Sequence, residues 1–404
     1  MGKKEVMIIG AGKLGRVFLG DLFDKAGYHL ILVNGTPRLI DPLNAQGYYT
    51  IFLNSSEGLE KRRITGFEAY ASGRDFDTCA RRLSEIDLAC VCLYPQANDS
   101  VADLLYAAMM RRRARQVEDP LNVIFFVNYI YPSDLLRKMV NERCQNDEER
   151  AYCTTYLGLV EGLPYRGGYH PLPEMLQEDP YCVYGYKMED AMPVGDGFVG
   201  PRPDIPTMSY VDRVQGRLVM KVWCGNMRAC IGAAIGQRKG FTYVHETVQD
   251  RYLRKCVDYA SQEANFGIAQ EFGFTQQEVN GRFQNAWQQL ANPTRVDLLT
   301  RVAADPIRKL RRDDRLIGPA LLAIKHGRLP FYLARGAAYL MRFENPDDPS
   351  CVEMHERIAQ QGVEKAIETL CQLDRSKREE EVIYQLVLDQ YRELLDHDVD
   401  PQTL

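Results

Sequence analysis

The decisive stretch of this sequence is Glu5-Val-Met-Ile-Ile-Gly10-Ala-Gly12-Lys-Leu-Gly15, in which an apolar run ends in three spaced glycines. Apolar residues then recur at helical spacing, and a second apolar run covers residues 29–34. Together these segments predict a βαβ unit. In that context the first glycine permits a tight turn, the second lets the backbone approach a pyrophosphate, and the third lets helix pack on strand. The stretch therefore predicts a dinucleotide site.

The predicted cofactor is NAD or NADP. An acidic residue at the end of the second strand normally holds the ribose hydroxyls of NAD, but Asn34 stands here and Arg38 follows. Both nicotinamide cofactors therefore remain open, and an S-adenosylmethionine enzyme with the same glycine turn is an alternative. The predicted cofactor-binding residues are Gly10, Ala11, Gly12, Lys13, Leu14, Gly15, Asn34 and Arg38.

The remaining patterning predicts an α/β fold. Near-continuous apolar runs at 86–93 and 122–127 are typical of buried parallel strands, with a crossover helix at 101–110 between them. Residues 48–65 predict an inserted hairpin, and residues 156–209, rich in Gly, Pro and Tyr, are expected to complete the sheet. Beyond Val211 the pattern is helical. We predict an N-terminal Rossmann doubly wound sheet in residues 1–209, followed by an all-helical C-terminal domain in residues 210–404.

Composition narrows the class of protein. The chain has 404 residues, 45% hydrophobic and 26% charged, with a net charge of -5 that argues against a nucleic-acid surface. Its eleven cysteines form no C-x-x-C pair, so neither a metal site nor disulfides are expected. We expect neither a signal peptide nor a membrane-spanning segment. These features predict a cytoplasmic monomer or small homo-oligomer that acts on a small molecule.

A second group of candidate site residues lies in the segment Lys221-Val-Trp-Cys-Gly-Asn226-Met-Arg-Ala229. On a regular helix, Asn226 lies about 140° and Ala229 about 80° around from Lys221, within one broad face. A lysine among apolar neighbours loses solvation, which lowers its pKa and lets it accept a proton near neutral pH. A nearby asparagine can donate to a developing alkoxide. The alternative is an ordinary surface lysine on an amphipathic helix.

At these residues the sequence resembles the long-chain polyol dehydrogenases, and within them the mannitol-1-phosphate 5-dehydrogenase branch. The likeness is carried by residues 9–20 and by Gly281-Arg-Phe-Gln-Asn285, Asp305-Pro-Ile-Arg-Lys-Leu310 and Asp313-Asp-Arg-Leu-Ile-Gly-Pro319. The resemblance implies zinc-independent hydride transfer between a nicotinamide and a polyol phosphate. It also implies that Lys221 is the general base and that Asn226 and Asn128 hold the reacting oxygen.

Three positions depart from the family pattern. Ala229 stands where the family has a histidine, and Asn34 stands where the family has the aspartate that binds the cofactor. Tyr165-Arg166 stands where the family has an acidic residue followed by an arginine. Arg228, His170 and His245 are candidates to replace the histidine. The resemblance further suggests substrate-phosphate binding by Arg282, Arg308, Lys309 and Arg315, some of which are expected to be structural. A hexuronate or other polyol reductase of the same family, and a dinucleotide-binding sensor with impaired catalysis, remain as alternatives.

Overall fold

The computed structural model describes residues 4–55, 58–187, 191–281, 286–291 and 297–396. The chain divides into two compact units, Met1–Gln215 and Gly216–Leu404. The observed division lies a few residues after the boundary that we placed between residues 209 and 210.

The first unit contains all the strands named in the described residues. They are β1 (Glu5–Ile9), β2 (His29–Asn34), β3 (Tyr48–Ser55), β4 (Gly58–Thr65), β5 (Glu68–Ala71), β6 (Leu88–Val91), β7 (Leu121–Phe125), β8 (Leu157–Glu161), β9 (Gly168–Tyr169), β10 (Val183–Tyr186), β11 (Met192–Val194) and β12 (Met208–Tyr210). A six-stranded parallel sheet has the order β5-β2-β1-β6-β7-β8. This is the doubly wound order, and the direction of winding reverses between β1 and β6. The predicted Rossmann sheet is confirmed.

Both faces of this sheet are buried. Along β1, Val6 and Ile8 enter one hydrophobic cluster, whereas Met7 and Ile9 enter the cluster on the opposite face. Alternate residues of a strand point to opposite faces, so a strand covered on both sides must be apolar throughout. The helices of this unit are α1 (Asp21–Lys25), α2 (Pro37–Gln46), α3 (Phe76–Ser84), α4 (Asn98–Ala114), α5 (Pro132–Arg143), α6 (Asp147–Tyr156) and α7 (Pro173–Glu178), with a π-helical segment Gly15–Gly20 before α1 and a short 3-10 helix Pro95–Ala97.

A second sheet packs on the first helix, with the order β4-β3-β10-β9. Its β3–β4 pair is the predicted hairpin. The expectation for residues 156–209 was only partly right, because β8 alone joins the main sheet. β10 instead pairs in parallel with β3, and β11 pairs with β12. A Cβ on Gly168 of β9 would lie 2.7 Å from Cβ of Lys13, so this strand approaches the glycine turn closely.

The second unit is helical in the part that the structure describes, apart from an isolated bridge between Tyr243 and Leu298. Its helices are α8 (Val214–Val219), α9 (Asn226–Arg238), α10 (Val244–Thr247), α11 (Arg251–Phe272), α12 (Gln276–Gly281), α13 (Ala286–Leu290), α14 (Leu299–Ala303), α15 (Pro306–Leu310), α16 (Ile317–Lys325), α17 (Phe331–Met341), α18 (Pro349–Gln361), α19 (Val363–Cys371) and α20 (Arg378–Asp396). The α11 helix packs against α9, α16 and α17. The predicted helical C-terminal domain is confirmed.

One continuous helix, Val214–Arg238, joins α8 and α9 through a π-helical segment, Met220–Gly225. The helix has 25 residues and its most apolar 18-residue window has a mean hydropathy of 1.2, so its length and composition would allow it to cross a membrane. Within the protein, 78% of its most apolar window is buried. The same length and apolarity are found in the core helices of globular proteins, and this burial accounts for them here.

Candidate active site

The glycine turn lies at the carboxyl end of β1, beside the end of β6. Gly10 has a φ of +103°, and a Cβ there would lie 2.7 Å from the carbonyl oxygen of Cys92. A Cβ on Gly15 would overlap the carbonyl of Gly10, whereas one on Gly12 would meet no atom within 4 Å. Packing therefore requires glycine at the first and third positions, while the second leaves open space beside the turn.

The first helix begins directly after this turn. Arg16 donates its backbone N–H to the carbonyl of Gly12 at 3.2 Å, so the earlier N–H groups lie in the first turn of the helix. Ala11 is buried, Lys13 and Leu14 are half-buried, and burial lowers the pKa of Lys13. Open space beside unpaired helix N–H groups suits an anionic pyrophosphate, so the residues of the turn fit a dinucleotide.

Asn34 is the last residue of β2, at the same edge of the sheet. Its Oδ1 accepts the backbone N–H of Gly35 at 2.9 Å. Thr36 caps α2 by accepting the backbone N–H of Arg38 at 3.1 Å, and the Arg38 side chain is exposed. Both predicted residues therefore lie where the adenosine ribose of a dinucleotide binds in a Rossmann domain.

Two polar residues follow the last two strands of the main sheet. Asn128 lies three residues beyond β7, and its side chain is exposed. Glu161 ends β8, is buried, and accepts the hydroxyl of Ser133 at 2.7 Å. Burial raises the pKa of Glu161. Glu161 was not among the predicted site residues. Its position directly after the apolar run 157–160 is the sequence signal by which it could have been predicted.

Lys221 lies in the π-helical segment in the middle of the long helix. Asn226 donates its backbone N–H to the carbonyl of Lys221, the i+5 to i bond of a π-helix. Residues joined by a helical hydrogen bond lie on nearly the same face, as residues four apart do in an α-helix. The regular helix that we assumed was therefore wrong here, and Asn226 lies closer to the face of Lys221 than about 140°.

Apolar side chains flank Lys221, which is half-buried like Asn226. Met220, Val222 and Trp223 are all buried. The Trp223 ring packs against Gly318 of α16, where a Cβ would lie 2.5 Å from the ring. The family-like segment 313–319 therefore supports the helix turn that carries the predicted base.

The candidates to replace the family histidine differ in what they contact. Arg228, next to Ala229, is buried and donates to Ser261 Oγ at 2.7 Å and to Asp258 at 3.1 Å, so its guanidinium ties α9 to α11. His245 lies in α10, beyond the far end of the long helix, and stacks on Tyr243. His170 is exposed in the first unit. The contacts of Arg228 and His245 are those of structural residues.

Three of the four predicted phosphate-binding cations lie together near α15. Arg308 pairs with Asp305 at 2.6 Å and with Asp314 at 3.1 Å, and Arg315 pairs with Asp314 at 2.7 Å. Lys309 is only 4% exposed, and its ammonium makes no hydrogen bond or ion pair with any residue that the structure describes. Burial lowers the pKa of Lys309 to about 8. The fourth cation, Arg282, lies outside the described residues.

This cation cluster faces the helix that carries Lys221. The positive charge of Lys309 partly offsets the rise that burial causes in the pKa of the Cys230 thiol, so the two side chains lie within electrostatic reach. Cys230 follows Asn226 by four residues and therefore lies on the same face of α9. Lys309 is thus next to the face on which Asn226 lies, one turn along.

A group of metal-type ligands lies at the opposite, amino edge of the main sheet. His29, Glu5 and Glu68 bring their ligand atoms within 4.8 Å of one another. Arg82 donates to Glu5 and to Glu68 at 2.9 Å each. These carboxylates already accept hydrogen bonds from a cationic side chain, so the group does not resemble a prepared cation site.

Two family models match this chain: the mannitol dehydrogenase Rossmann domain over residues 4–162 and the mannitol dehydrogenase C-terminal domain over residues 215–397. Mannitol-1-phosphate 5-dehydrogenase from Bacillus licheniformis is 28% identical over 379 residues, which cover 94% of this chain and 97% of the relative. The protein of the same name from an Exiguobacterium species is 28% identical over 383 residues, covering 95% of each.

Solved structures agree on the fold. Mannitol 2-dehydrogenase from Pseudomonas fluorescens, in a ternary complex with NAD and D-mannitol, has a TM-score of 0.78 and 16% identity, covering 99% of this chain and 93% of that chain. Substrate-free D-sorbitol dehydrogenase has a TM-score of 0.70 and 14% identity, covering 98% of this chain and 94% of that chain. With models of both domains matched, this chain belongs to the mannitol dehydrogenase family, whose members are oxidoreductases that act on CH–OH groups with NAD(P).

Proposed function

We propose that this protein is a cytoplasmic dehydrogenase that interconverts a polyol phosphate and a ketose phosphate of the mannitol 1-phosphate and fructose 6-phosphate type. Lys221 is its general base. The proposal rests chiefly on Lys309, which is 4% exposed and whose ammonium has no partner among the described residues. The names of the curated relatives support the same substrate class.

An unpaired buried ammonium costs free energy, because it loses hydration without gaining a counter-charge. The acidic residues nearby, Asp305 and Asp314, are already paired with Arg308 and Arg315. A phosphate dianion would supply the counter-charge that Lys309 lacks, through a charge-assisted hydrogen bond. This compensation favours a phosphorylated substrate over a free polyol.

The chemistry assigned to the chain is proton transfer and orientation of the reacting oxygen. A bound nicotinamide supplies the acceptor or donor of the hydride. As the substrate carbon is oxidised, neutral Lys221 takes the hydroxyl proton at Nζ, and the O–H bond electrons become part of the carbonyl. Asn226 and Asn128 donate hydrogen bonds to the oxygen while it carries negative charge. In the reverse reaction the Lys221 ammonium returns the proton.

The test follows oxidation of the reduced nicotinamide by the full chain, with fructose 6-phosphate, free fructose and a hexuronate as substrates. We expect turnover with fructose 6-phosphate and a kcat/KM at least about tenfold lower with fructose. The Lys221→Ala variant should lose turnover while it still binds the cofactor. Equal activity on fructose, or full activity of Lys221→Ala, would contradict the proposal.

Two alternatives predict different results. A hexuronate reductase of the same family would use the hexuronate in preference to both ketoses. The absence of the family histidine at Ala229 favours the second alternative, a dinucleotide-binding sensor, which would bind cofactor tightly and turn over none of the three substrates.

A further inference from the structure

We infer that this protein binds NADP(H) in preference to NAD(H), because Asn34 and Arg38 form a binding site for the 2'-phosphate of the adenosine ribose. The inference rests on the nicotinamide cofactor of the proposed function. It adds the choice between the two cofactors, which neither the glycine turn nor the family determines.

The side chain at the end of β2, Asn34, suits a phosphate better than a carboxylate would. A carboxylate there would accept the ribose hydroxyls of NAD and would repel a phosphate dianion. Asn34 is neutral, and its Oδ1 already accepts the N–H of Gly35 at 2.9 Å. In this orientation the amide presents its N–H donors to a ligand. Phosphate oxygens only accept hydrogen bonds, so a donor matches them better than it matches a ribose diol.

Arg38 is the cation that could bind the 2'-phosphate. Arg38 is exposed in the first turn of α2, and its guanidinium makes no ion pair in the part of the chain that the structure describes. The bond from its backbone N–H to Thr36 Oγ1, at 3.1 Å, fixes its backbone beside the end of β2. An exposed guanidinium four residues beyond Asn34 can bind a phosphate through two parallel hydrogen bonds.

The neighbouring carboxylates are paired with an arginine. Asp41 of α2 and Asp75, after β5, both accept hydrogen bonds from Arg74 at 3.0 Å, so the guanidinium offsets part of their negative charge. The backbone N–H of Ser72 donates to the Asn34 carbonyl at 2.8 Å, which holds the loop of Arg74 beside Asn34. The negative charge of this loop is therefore partly offset, and Arg38 adds a cation that makes no ion pair with the described residues.

The test is a fluorescence titration of the full chain with NADPH and with NADH, in the absence of any sugar. We expect the Kd for NADPH to be at least about tenfold lower than the Kd for NADH. Arg38→Ala should raise the Kd for NADPH about tenfold or more and leave that for NADH nearly unchanged. Arg115→Ala is the matched control, because Arg115 is another exposed arginine of this unit, just after α4, and should change neither value.

The Asn34→Asp variant tests the other half of the site. It should weaken NADPH binding and strengthen NADH binding, so that the preference reverses. Equal or tighter binding of NADH by the unmodified protein, or an unchanged preference in Arg38→Ala, would overturn the inference and leave the proposed function standing. Binding of neither nucleotide would overturn both.

Discussion

At the scale of single residues, Lys309 is the side chain proposed to select a phosphorylated substrate. Burial lowers its pKa to about 8, so substrate binding should depend on pH near that value. Above that pH the ammonium loses its proton, while the substrate phosphate stays a dianion. We therefore expect KM for fructose 6-phosphate to rise as pH increases through about 8. Lys309→Met should raise KM by about tenfold or more at pH 7 and abolish the rise.

The stability of the same variant separates a binding role from a structural one. Lys309 has a largely buried side chain and pairs with none of the described residues, so its replacement with an apolar side chain of similar length should leave Tm unchanged or higher. Lys325→Met is the matched control, since Lys325 is exposed on α16 and pairs at the surface with Glu271. It should alter neither KM nor its pH dependence. A large loss of Tm in Lys309→Met would indicate that Lys309 supports the fold rather than a ligand.

Ala229 provides a second prediction at this scale. If the site is a reduced version of the family's, Ala229→His should raise kcat with fructose 6-phosphate, because a donor that orients the substrate contributes on the order of 100-fold in rate. Steady-state kinetics of both proteins measure this. An unchanged or lower kcat, with a folded protein, would show that the reacting group lies elsewhere relative to α9.

The sequence predicted these residues unevenly. The glycines could be selected by their spacing between a strand and a helix. Lys221 and Asn226 were selected by the resemblance to the family, because an ordinary surface lysine fits the same helical spacing. The difference between Lys309 and its neighbours Arg308 and Arg315 was not predictable. It depends on burial and on which acid each cation meets, and those contacts are made by segments that only the tertiary structure brings together.

At the scale of elements, the junction of α11 with α17 gives a stability prediction. Glu263 is buried in α11 and accepts the backbone N–H groups of Tyr332 and Leu333 at 3.0 and 2.9 Å. Burial raises its pKa from 4.5 to about 7. The folded protein therefore holds this proton more tightly than the unfolded chain does, so stability should fall as pH rises from about 4.5 through about 7.

Glu263→Gln removes the titrating carboxyl and keeps one oxygen, which can accept one of the two N–H groups. We expect the Tm of this variant to change less with pH between about 4.5 and 7 than that of the parent, measured by thermal denaturation. Glu271→Gln is the control on the same helix. The hydrogen bond from Lys325 lowers the pKa of exposed Glu271, so that substitution should not raise Tm. A Tm that falls with pH as steeply in Glu263→Gln as in the parent would refute the prediction.

Elements with strong local patterns were predicted well, and those defined by distant pairing were not. The parallel strands could be predicted from the sequence because burial on both faces makes them apolar throughout. The second sheet was not predicted, because its strand β10 pairs with β3, about 130 residues earlier in the chain. The local sequence pattern of a strand does not indicate such a distant partner. The π-helical turn at Lys221 was missed for a related reason, since periodicity assumes a regular helix.

At the scale of the whole molecule, the two units divide the proposed work. All buried residues of the two clusters that cover the main sheet lie between Val6 and Met208, within the first unit. A unit with its own core can fold alone. We therefore expect a fragment of residues 1–215 to unfold cooperatively by circular dichroism and to bind NADPH with a Kd within about tenfold of the full chain.

The same fragment should show no turnover with fructose 6-phosphate, because Lys221, Asn226 and Lys309 all belong to the second unit. Adding the fragment to the Lys221→Ala full chain should not restore activity, which excludes a contaminating reductase as the source of any signal. Turnover by the fragment would remove Lys221 from the mechanism. Loss of NADPH binding in a cooperatively folded fragment would instead show that the second unit contributes to the cofactor site, because the glycine turn, Asn34 and Arg38 are all retained.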